Sequence, residues 1–562
     1  MQSLSRRSSS SLPLLLGSTT LFLCWLAPGH YVPWVNFQNE IMAAAAALLF
    51  GAAAVASQTG PIRWPALSSI AVLAALVALV QMLAGQISFV SDGTLTLLYL
   101  VGFALSMVVG ATLVQSQREE FLGGVCGALL AAGLVSTGMA AIQWLQVGPV
   151  AFVAWVPAGE RPIANLAQPN HLASLLALAL LSALWLYEKQ RIGGRTLWLV
   201  ALWLGLGLLM ARSRTTWVAM PLFALGWFLM QRRAPLRLSG RALMTWLALF
   251  GIGVVLWDTF SETVGMAGQV SIAQRAQAGG RLQIWSVLIE ALLASPWFGY
   301  GWSQVSHAGL VGSLHHFTGE AMLRNSHNTL LDILLWNGVP LGLFFIGALA
   351  WWWIARLRAC TSAEQWVFLS AIGVVFVHAM FEFPLEYLHF LLPVGMLMGA
   401  LDGWEGERRL WRVPRAPVAL ALAGLAVATA WIGVEYVRVE EGSRDNRMLA
   451  AGYASSANLP DVMLLDEPRE YMRFWRTPAR VGMNSEEIAW MRKVAERNPA
   501  PPTLLRYAVA TGLNGQPDVA ARTLVQLCNM HKTASCNEGR TSWAALGAQF
   551  PQLQDIPYPR TP

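Results

Sequence analysis

Thirteen mostly apolar runs dominate the chain up to about residue 436, near 12–28, 41–57, 65–84, 95–114, 121–141, 170–187, 197–211, 216–230, 242–258, 330–354, 366–382, 387–402 and 416–435. A helix needs about 20 such residues to cross a bilayer. In lipid it is the helix that satisfies its own backbone polar groups. No stretch before residue 436 is polar enough to solvate a domain surface, and only 12% of all residues are charged, against about a quarter in an average soluble domain. The expectation is an all-α polytopic membrane protein with about twelve or thirteen transmembrane helices. A formal charge of +7 could suggest nucleic acid, but its placement explains it otherwise.

With the N-terminus cytoplasmic, the inner segments carry Arg6, Arg7, Arg63, Arg118, Lys189, Arg191, Arg195, Arg232, Arg233, Arg237, Arg241, Arg356, Arg358, Arg408, Arg409, Arg412 and Arg415. The opposite short loops carry Arg161, Arg212 and Arg214. Such asymmetry orients membrane proteins, basic side inward. Four segments follow: an N-terminal bundle over 1–258, a large outer loop over 259–329, further spans over 330–436, and an outer tail over 437–562. Arg6-Arg7 before an apolar run resembles a signal peptide, but no small-residue cleavage site follows, so an uncleaved first helix is expected.

The tail is soluble in character. After Asn498-Pro499-Ala500-Pro501-Pro502, the spacing of Leu504, Leu505, Tyr507, Ala508, Ala510 and Leu513 predicts an amphipathic helix. After Gly515-Gln516-Pro517, Ala520, Ala521, Leu524 and Leu527 predict a second. The pair resembles one repeat of the tetratricopeptide kind. Cys528 and Cys536 are the two cysteines placed to pair in an oxidising compartment, the alternative being two free thiols.

Polar residues at the outer boundary break the pattern. Arg212 and Arg214 defy the orientation rule; either they snorkel to headgroups beside Trp217, or they form an anion site, since guanidinium groups match phosphate oxygens bidentately. The loop opens with Gly279-Gly280-Arg281-Leu282-Gln283-Ile284-Trp285 and closes with Arg324-Asn325-Ser326-His327-Asn328-Thr329. Ser326 or Asn328 is placed to cap the next helix, which sets His327 near a helix N-terminus. His307, His315 and His316 lie nearby, and composition does not choose among the four. In His378-Ala379-Met380-Phe381-Glu382-Phe383-Pro384-Leu385-Glu386-Tyr387-Leu388-His389, two carboxylates and two imidazoles crowd one boundary; they fasten helices or serve function. Gln168, Asn170 and His171 precede the sixth span, where a helix start at Pro169-Asn170 accounts for Asn170 as a cap but not for the other two. The chain has no phosphate-binding glycine loop, nucleophile elbow or zinc-spaced cysteine set.

The loop beginning GGRLQIW and ending RNSHNTLLDILLWNGVPLG resembles the O-antigen ligase and polymerase superfamily. The segment AQPNHLAS at 167–174, with the long tail, is more specifically similar to the bacterial protein O-oligosaccharyltransferases that glycosylate pilin and other exported proteins. The resemblance implies glycan transfer from undecaprenyl pyrophosphate on the periplasmic face of the bacterial inner membrane, without metal or other cofactor. It implies His327 as the catalytic residue and Arg214 and Arg281 as pyrophosphate ligands, with Arg212 in support. Gln168, Asn170, His171 and Tyr387 would assist. Glu382 or Glu386 would orient the imidazole. Expected partners are the lipid-linked oligosaccharide, an acceptor protein such as pilin and the bilayer, with no nucleic acid. The alternatives are an O-antigen ligase acting on lipid A core, an O-antigen polymerase and, outside the enzymes, a lipid-linked glycan transporter.

Overall fold

The computed structural model describes residues 2–30, 32–266, 280–319, 323–404 and 411–560. Gly279, Arg408 and Arg409, named above, lie outside them. Each apolar run corresponds to a helix: Gln2–Cys24 (α1), Phe37–Ser57 (α2), Ala66–Leu83 (α3), Val90–Ser116 (α4), Arg118–Trp144 (α5), Pro169–Glu188 (α6), Gly194–Ala211 (α7), Arg214–Met230 (α8) and Gly240–Thr263 (α9) come first. Gly280–Ala294 (α10) and Val305–Gly312 (α11) lie in the large loop. The remaining spans are Thr329–Ala359 (α12), Ala363–Ala379 (α13), Leu388–Trp404 (α14) and Arg415–Ala450 (α15). Among the described residues nine helices are long and apolar enough to cross a membrane. α1, α13 and α14 add shorter apolar helices, and α8 carries Pro221 within it. The chain is a multi-pass helical membrane protein.

By contact the chain forms two compact units, each drawn from several stretches. The first comprises 1–73, 99–275 and 348–431. Its centre is α6, which packs on α5, α7, α8 and α13. Leu172, Leu175, Leu176, Ala179 and Trp185 are all buried along it. Because lipid is as apolar as leucine, close fit rather than water exclusion holds such helices together. Gly395, Gly399 and Gly403, one turn apart on α14, illustrate this: a Cβ on Gly399 would strike the carbonyl of Met107 in α4. Just past the end of α6, Lys189 pairs with Glu119 at 2.6 Å and Glu364 at 2.5 Å. Arg118 lies 4.2 Å over the Trp404 ring. A short antiparallel pairing joins Ile62–Trp64 (β1) to Trp411–Val413 (β2), Ile62 opposite Val413.

The second unit comprises 74–98, 276–347 and 432–562. The large loop and the tail, separate segments in the sequence, share its core: Phe89 and Leu310 are buried in one cluster with Phe474, Met491, Val494, Leu504 and Leu527. The tail forms Asp466–Arg476 (α16), Ser485–Arg497 (α17), Pro501–Leu513 (α18), Pro517–Met530 (α19) and Thr533–Gln549 (α20). The two helices expected there are α18 and α19, packed as a hairpin. Cys528 and Cys536 form a disulfide. The Asp466 carboxylate accepts the first amides of α4, from Val90 at 3.2 Å and Ser91 at 2.8 Å, while Ser91 Oγ accepts the Glu467 amide at 3.2 Å. Arg497 forks onto Asp92 at 2.7 and 2.9 Å. Other tail side chains hold the loop: Gln526 donates to the Leu310 carbonyl at 2.9 Å, Asn529 to that of Ser313 at 2.8 Å, and Arg324 reaches Asn498 at 2.9 Å.

Candidate active site

His327 stands in the second unit at φ +57°, a left-handed backbone that an L-residue adopts only when its surroundings impose it. Several bonds impose it. The Asn328 side chain caps α12, accepting the amides of Leu330 at 3.0 Å and Leu331 at 3.1 Å, so Asn328 rather than Ser326 is the cap. The Ser326 hydroxyl accepts the Asn328 amide at 3.1 Å and donates to its carbonyl at 2.8 Å. Ser326 N–H donates to Asp332 at 2.8 Å, and Trp285 Nε1 donates to the Ser326 carbonyl at 2.9 Å. Asp332 is buried and within electrostatic range of His327. It is the carboxylate that this unit itself supplies to the histidine, and the sequence reading passed over it inside an apolar run. Arg281 is half-buried in the first turn of α10.

In the first unit three arginines converge. Arg212 closes α7 in left-handed backbone at φ +49°. Its buried guanidinium pairs with Asp258 of α9. Arg214, two residues on, opens α8 and is exposed. Arg161, from the loop between α5 and α6, reaches the carbonyls of Ala211 and Arg212 at 3.5 Å. Burial lowers the Arg161 pKa; Glu382 and Glu160 oppose this, and the charges of Arg212 and Arg214 add to it. An arginine remains protonated even so, and such a concentration of positive charge favours an anion. Arg161 was counted in the sequence only as an exception to orientation.

Two residues past Arg214, Thr216 lines an otherwise apolar cavity of about 140 Å³ within the same unit, with Leu180, Leu184, Trp198, Phe223 and Trp246 among its walls.

The motif 167–174 starts α6. The loop before it is stapled by Gln143, whose amide donates to the carbonyls of Ala154 at 2.7 Å and Ala164 at 2.8 Å. Asn165 donates to Leu26 and Phe152, both at 2.7 Å. Gln168 occupies the N-cap position and Pro169 the first helical one. Asn170 is therefore two residues too far in to cap, a correction to the sequence expectation, and its amide donates to Glu382 at 3.2 Å. His171 is fully buried, Nδ1 against the Leu166 carbonyl at 3.2 Å, its ring 4.7 Å from Tyr387 and 5.9 Å from His389. His378 Nδ1 meets Ser174 Oγ at 2.8 Å. Glu386 and Tyr387 lie near Tyr99, whose hydroxyl donates to buried Glu40. Among the described residues neither ring nitrogen of buried His389, nor Nε2 of His171, has a protein partner. Glu40 was not singled out from the sequence, though it is an ionisable residue in an apolar helix, the signal that marks such positions. No three His, Cys, Asp or Glu side chains among the described residues are grouped to hold a metal ion.

Comparison with known proteins covers these residues. Positions 162–187 match the model of protein glycosylation ligases, 199–346 that of O-antigen ligases, and 366–538 the C-terminal model of virulence factor membrane-bound polymerases. The chain is 29% identical over 537 residues to a general O-oligosaccharyltransferase of Acinetobacter baylyi, with 92% of each chain covered. It is 26% identical over 327 residues to a ComP-specific O-oligosaccharyltransferase of the same organism, covering 58% of this chain and 59% of the relative.

Proposed function

Because the chain belongs with the O-oligosaccharyltransferases of the O-antigen ligase superfamily, we propose that it transfers an oligosaccharide from undecaprenyl pyrophosphate to a Ser or Thr hydroxyl of an exported protein such as pilin. Transfer takes place on the periplasmic face of the inner membrane. One observation carries the donor class: Arg161, Arg212 and Arg214 gather close in sequence to Thr216, which lines an apolar cavity. That combination suits an amphiphile whose phosphates meet guanidinium groups while its isoprenoid chain enters the apolar helices.

In the transfer, the acceptor oxygen bonds to the anomeric carbon as that carbon's bond to the phosphate oxygen breaks. The electron pair leaves with the pyrophosphate, and His327 takes the hydroxyl proton. Arg214 and Arg281 meet the negative charge that grows on the leaving group, so they stabilise the transition state more than the ground state. His327, fixed by its capped turn, aligns the acceptor for in-line attack with inversion. Gln168, Asn170, His171, Glu382, Glu386 and Tyr387 shape the polar surroundings, and the step needs no metal. The test is purified protein with lipid-linked glycan and pilin. A glycan mass on a Ser or Thr peptide supports the proposal, and glycan appearing only on lipid A core or on longer glycan chains overturns it.

A further inference from the structure

Helix α10 has two apolar faces. Ile284, Val287, Leu288, Ala291 and Leu292 are buried, packed with Tyr300, Val305 and Ala308. At about 100° per residue, Leu282, Ile289 and Leu293 fall together on the opposite side, and all three are exposed. The chain then turns through Trp297 and Phe298; with Leu282 and Leu293, these are 70% to 76% exposed. A contiguous apolar surface of this kind marks an interaction site.

Two sets of bonds fix the depth of that surface. Helix α12 breaks at Gly338, whose φ of +75° is non-helical. The stretch beyond it, 339–359, is 21 residues (359 − 339 + 1), or about 31 Å at 1.5 Å per residue, one hydrocarbon thickness. Gly338 therefore marks where the span begins. The turn rests on this break: Val339 donates to the Pro296 carbonyl at 2.7 Å, and a Cβ on Gly338 would strike the carbonyl of Trp297. The second tie comes from the end of α3. Gln86, three residues past its last residue Leu83, donates to the carbonyls of Phe298 at 3.2 Å and Gly299 at 3.0 Å. Leu83 and Val80 beside it are themselves exposed and apolar. Two spanning helices thus end where Trp297 and Phe298 emerge, and indole rings favour that boundary.

We infer that the outer face of α10, continued by Trp297 and Phe298, lies in the headgroup boundary of the outer leaflet as an in-plane amphipathic helix. The occupant of the face is lipid, because the surface is continuous with the lipid-facing end of α3. Exposed Gln283 and half-buried Glu290, the latter paired with His316, lie about 60–80° around the helix from Leu293, on its polar side. Arg281, one residue before the first lipid-facing position, is held at phosphate depth; that consequence alone rests on the proposed function.

Nitroxide labels on the full-length protein in phosphatidylethanolamine and phosphatidylglycerol nanodiscs test this. The free Cys24, Cys126 and Cys360 are buried, so Leu293→Cys, Ile289→Cys and Gln283→Cys can be labelled in turn. Labels at 293 and 289 should collide several-fold more with oxygen than with an aqueous nickel chelate, and the label at 283 should show the reverse. Water-like ratios at 293 and 289 would overturn the inference and leave the face open to a protein instead. Because this measurement does not depend on transfer, it separates failure of the membrane contact from failure of the proposed activity.

Discussion

The carboxylate of Asp332 accepts the backbone N–H of Ser326 at 2.8 Å and so closes the turn that holds His327 in left-handed backbone. Asp332→Ala removes that acceptor from a buried site, and a small displacement of a reacting group costs about 100-fold in rate. Turnover should fall by about 10- to 100-fold with the KM for lipid donor nearly unchanged. Asp332→Asn keeps an oxygen for the Ser326 amide and should retain much more turnover. Equal loss in both variants would show that the charge, not the turn, is what matters.

Arg161 and Arg214 should separate in kinetics. Arg214→Ala should lower kcat by about 100-fold or more, the usual loss when one donor to a developing anion is removed. Arg161→Ala, whose guanidinium also ties the Ala211 and Arg212 carbonyls, should mainly raise the KM for donor. Lysine should not restore Arg214, since a single ammonium lacks the planar fork. Steady-state assays with purified lipid-linked donor decide both.

The spans were legible because a bilayer tolerates little besides apolar helices, and every apolar run from 12–28 to 416–435 meets a helix. Boundaries inside those runs were less so: 330–354 looked continuous, and the break at Gly338 has its cause in the Trp297 turn, which no local pattern in 330–354 displays. His327, Arg214 and Arg281 were picked out by motif. Arg161 escaped because its meaning depends on the Ala211 and Arg212 carbonyls far along the chain, and Asp332 because it sits inside an apolar run. Asn170 was assigned to capping on its dipeptide, whereas two residues of register send its amide to Glu382. In the tail, Leu310 of the large loop shares a core with Leu527, a partnership that periodicity cannot express.

The Arg497 and Asp92 pair should be the strongest single tie between the tail and the start of α4, since both side chains are largely buried, at 14% and 7% exposure. Removing one partner of a buried ion pair costs about 3–5 kcal/mol. Arg497→Ala should therefore make the tail sensitive to limited proteolysis well before the spanning helices, with cleavage mapped by mass spectrometry.

His531 gives the tail a pH dependence. It is buried with Nε2 against the Pro499 carbonyl at 2.7 Å, and burial lowers its pKa, the hydrogen bond opposing in part. The unfolded chain then binds the proton more readily than the folded one, so stability is full above the ordinary histidine value near 6.5 and is lost as pH falls below it. The protection of amides across α18 and α19, with exchange rates referred to the intrinsic rate at each pH, should fall between pH 7.5 and 5.5. His531→Gln should flatten that change.

The central claim is that His327 deprotonates a protein hydroxyl for attack on a lipid-pyrophosphate glycan. Reconstituted wild-type and His327→Ala proteins, given the same lipid-linked glycan and acceptor protein, test it by intact mass. Expected are a glycan-sized mass increase at a Ser or Thr with wild type, and a rate lower by about 100- to 10,000-fold with His327→Ala, with lipid donor still bound. Transfer by His327→Ala at the wild-type rate would contradict it.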